Sequence, residues 1–241
     1  MNNVAFIGAF HNEGERLLRL LRQTQPWFKH RVIALQGPED LEIENVSKLL
    51  RYNDDTLILQ DKLGFGEASF PEIMRTVRNA YPRVEWVFYM DGDELAEPSL
   101  LACMTYAILD PEAAASKGIQ LLKRSNIVLP DGSVLPGIAE KNLRIWKVDC
   151  ERPPKPHAWI EGIIGDPLFW PVGAIRETRN LAEYLRDQIS YVKVDPGATD
   201  ITKGLLKETY EHLQQFLPAS EVSNLFRGIN EEAWEMVKLS A

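Results

Sequence analysis

Along the first hundred residues, short apolar runs alternate with stretches whose leucines recur at helical spacing. NVAFIGA (3–9) is continuously apolar, as a strand covered on both faces requires. The polar break His11-Asn12-Glu13-Gly14 follows, and then ERLLRLLRQTQPW carries Leu17, Leu18, Leu20 and Leu21. That stripe predicts an amphipathic helix with Glu13 and Glu15 near its positive end. HRVIALQG predicts a second strand ended by Gly37-Pro38, DLEIENVSKLLRYN a helix, and DTLILQ a third strand. FPEIMRTVRNAY is helical, with Pro71 in the first turn where a missing N–H costs little, and EWVFYM is a fourth strand ending at Asp91. PSLLACMTYAIL completes this half as a further helix.

Beyond it the texture changes. GIQLLKRSNIVLPDGSVLPG predicts two strands around Asp131-Gly132, and NLRIWKVD another strand. ERPPKPHAWIEGIIGDPLFWPVG, rich in Pro, Gly and Trp, reads as β and loop segments laid over the crevice. From about 177, ETRNLAEYLRDQISYV opens a run of helices broken at DPGATD. Strand–helix alternation of this kind marks a Rossmann-like α/β fold, a mostly parallel central sheet flanked by helices. Ligands of such sheets bind outside the carboxyl ends of the strands. FHNEGE and MDGDE both lie at those ends, so the two turns can face one crevice although 80 residues separate them.

The chain of 241 residues suits one large domain with a modest appendage: 1–176 as the main α/β domain, 177–241 as a helical extension packed on it. At 45% hydrophobic it can bury a sizeable core, and a net charge of -8 disfavours binding along a nucleic-acid backbone. Cys103 and Cys150 match no metal or disulfide spacing and suit a reducing compartment. MNNVAFIGAF has neither the basic start nor the long apolar stretch of a signal peptide, and no segment reaches membrane-spanning length. A cytoplasmic protein is expected. The C-terminal helices either pack on the sheet or mediate a homodimer.

Candidate chemistry concentrates in Asp91-Gly92-Asp93-Glu94. If the strand persists, Asp91 and Asp93 share a side, and two carboxylates in a partly buried crevice repel unless one protonates or a cation neutralises both. Mg²⁺ and Mn²⁺ favour oxygen ligands and often use one or two carboxylates plus substrate phosphates. The plainer alternative is a polar turn with Glu94 starting the next helix. At His11-Asn12-Glu13, a nucleotide site competes with ordinary helix capping by Asn12. Neither a P-loop nor a Gly-x-Gly-x-x-Gly pattern is present.

Taken together, these segments resemble glycosyltransferase family 2 within the GT-A fold. VAFIGAFHNEGERLLRLLRQTQPWFKHRVIALQG looks like that family's opening strand, Asn-Glu turn, helix and second strand. GFGEASFPEIMRTVRNAYPRVEWVFYMDGDELAEPSLL resembles the stretch into its Asp-x-Asp motif, NLRIWKV its later Arg-Leu-Phe strand, and AWIEGIIGDPLF its Trp-x-Gly-x-hydrophobic-His-Glu segment. NLAEYLRDQISYV is similar to the helix that closes many bacterial members. The resemblance spans roughly residues 3 to 192.

It implies a metal-dependent transfer of a sugar from a nucleotide-diphosphate sugar, with a UDP-sugar the first choice, to an acceptor hydroxyl with inversion. The acceptor would be a glycan, a lipid-linked glycan, a protein or a modified DNA base. Asp93 would bind Mn²⁺ or Mg²⁺ and Asp91 would support the metal or the ribose. Ala9, Phe10 and Glu13 would border the nucleotide base. Asp166 is the first candidate for general base and Glu161 the second. Arg176 and Arg179 would reach the diphosphate from a helix start or else belong to a solvated face, and His157 would stand in as a metal ligand against the plainer reading of a surface histidine. Trp159, Phe169 and Trp170 divide between sugar or base stacking and core, with Arg144 and Lys155 nearby for phosphate or carboxylate.

The departures from the pattern are specific. Gln36 replaces the acid after strand two, Asp40 is the remaining candidate for that segment's second acid, and Gly165 occupies the position of the histidine before the family's Glu. Loss of these groups motivates an alternative, a non-catalytic GT-A-like module that binds a nucleotide or glycan. A nucleotidyltransferase on a similar sheet would need a glycine- and arginine-rich amino-terminal loop that this sequence lacks.

Overall fold

The computed structural model describes residues 1–11, 13–52, 54–61, 66–153, 160–194, 197 and 199–239. Side chains of 66, 67, 191 and 194 are not among the described groups. The first half folds as the alternation predicts: β1 (Val4–Phe10), α1 (Glu15–Thr24), β2 (His30–Gln36), α2 (Asp40–Ser47), β3 (Asp55–Gln60), α3 (Phe70–Ala80) and β4 (Trp86–Tyr89). A short strand β5 (Glu94–Ala96) precedes α4 (Pro98–Leu109) and α5 (Pro111–Ser116). The long strands β6 (Gly118–Val128), β7 (Val134–Lys147) and β8 (Leu168–Asn180) follow, and then α6 (Leu181–Val194), α7 (Thr199–Leu213), α8 (Ala219–Ile229) and α9 (Glu231–Lys238).

The sheet has eight strands in the order β3-β2-β1-β4-β7-β6-β8-β5. Strands β1 to β4 pair in parallel, whereas β7 runs antiparallel to β4. The sheet is therefore mixed, and the expectation of a mostly parallel sheet is corrected. The reason lies after α5, where no crossover helix returns the chain: β6 and β7 join through the tight Asp131-Gly132 turn, which reverses direction. Two further corrections follow. NLRIWKVD is the end of β7, which is one strand from Val134 onward, and residues 168–180 are a strand, so the helix expected from 177 begins at Leu181.

Two compact units divide the chain, 1–123 with 140–176 and 124–139 with 177–241. In the first, alternate residues of β1 serve opposite faces of the sheet. Val4, Phe6 and Phe10 pack with Leu17, Leu20 and Leu21 of α1 and with Leu100 and Met104 of α4. Ala5 and Ile7 pack with Phe70, Ile73, Met74 and Val77 of α3. Covering both faces explains why β1 and Val32–Leu35 of β2 are apolar. Arg31 of β2 is polar yet fully buried: its cross-strand partner is Asp55 of β3, with Nη2–Oδ2 at 2.7 Å. The second unit has its own core, in which Ile127 and Leu129 pack with Leu185, Leu206, Leu213 and Phe226.

Candidate functional site

Chain order and strand order together single out one edge. From β1 the chain proceeds to β2 and β3 on one side, then crosses back so that β4 lies on the other side of β1. The carboxyl ends of β1 and β4 thus flank a topological switch point, where open α/β sheets leave a crevice.

Both polar turns converge there. Gly92 is buried, and a Cβ placed on it would lie 2.5 Å from Cγ of Glu13 and 2.6 Å from its Cδ. Only glycine leaves room for the Glu13 side chain to lie on the Asp-Gly-Asp turn. Burial raises the Glu13 carboxyl above its ordinary value; Arg16 opposes this, and the charges of Asp91 and Glu42 add to it. His11 is anchored beside them, its Nδ1 donating to the carbonyl of Gln36 at 2.7 Å. Gln36 is itself buried and donates through Nε2 to Ser69 Oγ (2.7 Å), which donates to Gln60 Oε1 (2.6 Å). An amide and hydroxyl chain thus occupies the ends of β2 and β3.

The acidic turn is built around Glu94, which is not a helix start but the first residue of β5, with no side-chain exposure. Its Oε2 accepts the Asp91 N–H at 2.9 Å, while the Glu94 N–H donates to the Asp91 carbonyl at 3.2 Å. Its Oε1 accepts from Arg144 of β7 (2.5 Å) and pairs with Lys123 of β6 (3.1 Å), two cations that are themselves buried. Nη2 of Arg144 also reaches Oδ2 of Asp91 at 3.1 Å, and the Tyr89 hydroxyl donates to Oδ1. Asp91 keeps 42% of its side chain exposed. Burial works against its charge, but Arg144 and then Lys123 outweigh burial and hold the carboxyl well below the usual carboxylate range. Burial, reinforced by Asp91, pushes the Tyr89 phenol well up, so Tyr89 stays protonated and donates. The guanidinium of Arg152 lies 4.8 Å from the Tyr89 ring centre and 4.6 Å from that of Phe70.

The remaining candidates fall in different places. Asp93 is half-buried in the same turn, and Ala9 is half-buried at the end of β1. Phe10 turns its ring back beneath Gly8 and is 2% exposed, so it contributes core and backbone there, not a stacking ring. Asp40 is exposed at the start of α2. Arg176 is exposed and pairs with Glu97 at 2.6 Å, Arg179 pairs with Glu177 at 2.8 Å, and Phe169 lies under Lys141 at 4.3 Å. Trp170 packs against the core. His157, Trp159 and Lys155 lie outside the described residues.

Asp166 and Glu161 are exposed. Glu161 bridges Glu151, and Ile164 N–H donates to the Ser116 carbonyl. These partners adjoin Lys117 and Lys147, and Lys147 is in register with Trp86, the first residue of β4. The structure brings Glu13, Gly92, Asp91 and Asp93 together. The buried partners Glu94, Lys123 and Tyr89 were not singled out as functional by sequence reasoning; a lysine within β6 and an acid following an Asp-x-Asp were the available signals.

Asp93 and the exposed face of Asp91 are the groups of this turn that could hold a divalent ion. Each Asp91 oxygen and each Glu94 oxygen already accepts an internal bond. Among the described residues no group of three His, Cys, Asp or Glu side chains is placed to hold a metal.

No protein-family model matches the chain, and no curated protein matches it in sequence. Among solved structures it is similar to S. aureus TarS at 9% identity and a TM-score of 0.45, over 94% of this chain and 42% of that one. The chain thus spans less than half the length of that protein. TarS 1–349 in complex with UDP gives 11% identity and a TM-score of 0.45 over 94% of this chain and 70% of that one. A 4-diphosphocytidyl-2C-methyl-D-erythritol synthase gives 9% and 0.44 over 71% and 90%.

Proposed function

We propose that the crevice between the carboxyl ends of β1 and β4 binds the nucleoside diphosphate of a nucleotide-sugar, and that the chain transfers the sugar to an acceptor hydroxyl. The observation that carries this reading is the seat of Glu13 on Gly92, which joins the two polar turns at the switch point of the sheet. In this reading Ala9 and Glu13 border the nucleoside, and Asp91 and Asp93 face the ribose and diphosphate. Of the acids gathered there, Asp91 and Glu94 are balanced by Arg144 and Lys123. No step is assigned to a metal.

One observation favours a second reading, a nucleotide-binding module without transfer activity: Gln36 stands where the resemblance would have an acid, and its amide is tied inward to Ser69 at 2.7 Å. A single panel separates the two. UDP-, GDP-, CMP- and dTDP-sugars are tested by thermal shift and donor hydrolysis on the wild type and Asp93→Ala, with Mn²⁺ and with a chelator. Binding with slow hydrolysis that disappears in Asp93→Ala supports the transferase. Binding without hydrolysis supports the module, and no binding by any donor overturns both. The chelator arm reads whether the diphosphate needs a cation.

A further inference from the structure

The Arg144 guanidinium is 7% exposed at the centre of the first unit's polar cluster, and one nitrogen of it serves two carboxylates. Nη2 donates to Glu94 Oε1, which has no exposure, and to Asp91 Oδ2, on a side chain that is 42% exposed. Glu94 is held from three sides, by Arg144, by Lys123 and by the Asp91 N–H. The Arg144 ring contact is with Tyr89 at 5.0 Å, and the Tyr89 hydroxyl holds the other Asp91 oxygen. Asp91 therefore cannot rotate without releasing a buried cation. Nothing in the packing of β4, β6 and β7 requires the chain of contacts to end at a carboxylate open to the crevice. A pair closed within the core would serve stability alone, and this one continues outward.

We infer that Arg144 is a positioning residue: clamped by Glu94, it fixes the Asp91 carboxylate in one orientation toward the donor. The inference rests on the nucleotide-sugar reading of the crevice and assigns Asp91 the role of an oriented acceptor for donor hydroxyls. Outer hydrogen bonds that hold the ligands of metal sites are worth about 10–100-fold in affinity or activity, and a loss of the same order is expected for a carboxylate that orients a substrate.

The test compares the wild type, Arg144→Met, Arg144→Lys and the double variant Glu94→Gln/Arg144→Met by donor hydrolysis kinetics and thermal melting. The single Met variant leaves Glu94 buried without its main cation, so it loses both stability and donor kcat/KM. The double variant removes one buried charge of each sign, so its melting temperature returns toward the wild type. Its donor kcat/KM is expected to stay low by about 10–100-fold, because Asp91 has lost its holder. Arg144→Lys, whose single ammonium can also bridge two carboxylates, is expected to regain most of the lost activity. A double variant that regains stability and donor kcat/KM together would overturn the positioning role and leave Arg144 a structural ion. A wild type that turns over no donor would overturn the transferase reading, and the inference with it. The two failures are read from different samples.

Discussion

Removing the Asp55 carboxylate isolates a completely buried charge in the first unit. Arg31 and Asp55 both have no side-chain exposure. Asp55 accepts from Arg31 Nε (3.1 Å) and Nη2 (2.7 Å), and from Arg51 through its backbone N–H (2.8 Å), Nε (3.2 Å) and Nη2 (3.1 Å). Arg31 in turn donates to the Leu21 carbonyl in the last turn of α1 (2.7 Å) and to the Leu49 carbonyl after α2 (2.6 Å). The pair thus joins β2, β3 and two helix ends. In Asp55→Ala the Arg31 guanidinium stays buried with carbonyl partners but no anion, a change that costs about 3–5 kcal/mol. At a urea dependence of about 2–3 kcal/mol/M, the unfolding midpoint should fall by about 1–2 M. Tryptophan fluorescence of the first unit, through Trp86 and Trp146, reports the transition. A midpoint shift worth less than about 1 kcal/mol, with an unchanged slope, would refute the claim that this pair holds the strands.

The same carboxylate carries an acid signature. Burial alone would raise Asp55, but hydrogen bonds from Arg31 and Arg51 outweigh it and hold the carboxyl below its ordinary value. A depressed folded value means the contribution is complete above the unfolded carboxyl value of about 3.9. It declines as pH falls below that value and is lost once pH passes the folded one. Asp55→Asn should therefore be less stable than the wild type at neutral pH, and the two stability curves should converge in acid. Gly92→Ala should displace the Glu13 side chain, the mobile partner in that contact, so donor affinity falls while the melting temperature changes little. Gly173→Ala should act on stability instead, since Gly173 has φ 75° and a Cβ there would lie 2.5 Å from the Leu100 backbone nitrogen. The conformational strain alone costs about 1–3 kcal/mol, read by thermal melting.

The parallel half was legible because its signals are local. Leu17, Leu20, Leu21 and Thr24 are buried at i, i+3, i+4 and i+7, and β1 is apolar at every position. Strand β8 was not, because Pro171 and Gly173 read as loop, whereas Gly173 is where the strand passes against α4. The site was half legible for the same reason. Asp91, Asp93 and Glu13 announce themselves as polar residues at strand ends. Glu94 reads as solvated until its partners, Lys123 and Arg144, arrive from strands 29 and 50 residues later. Arg31 likewise makes sense only with Asp55, its register partner. Pairs of that kind are set by sheet order, which residue spacing does not encode.

The central claim is that a nucleoside diphosphate binds where β1 and β4 end. Amide hydrogen–deuterium exchange with and without UDP or GDP tests it most directly. Binding there should slow exchange in Glu13–Leu18 and Asp91–Glu94 and leave Ile160–Asp166 unchanged. Slowed exchange at 160–166 or in the helices from Thr199 onward, with Glu13–Leu18 and Asp91–Glu94 unaffected, would contradict it.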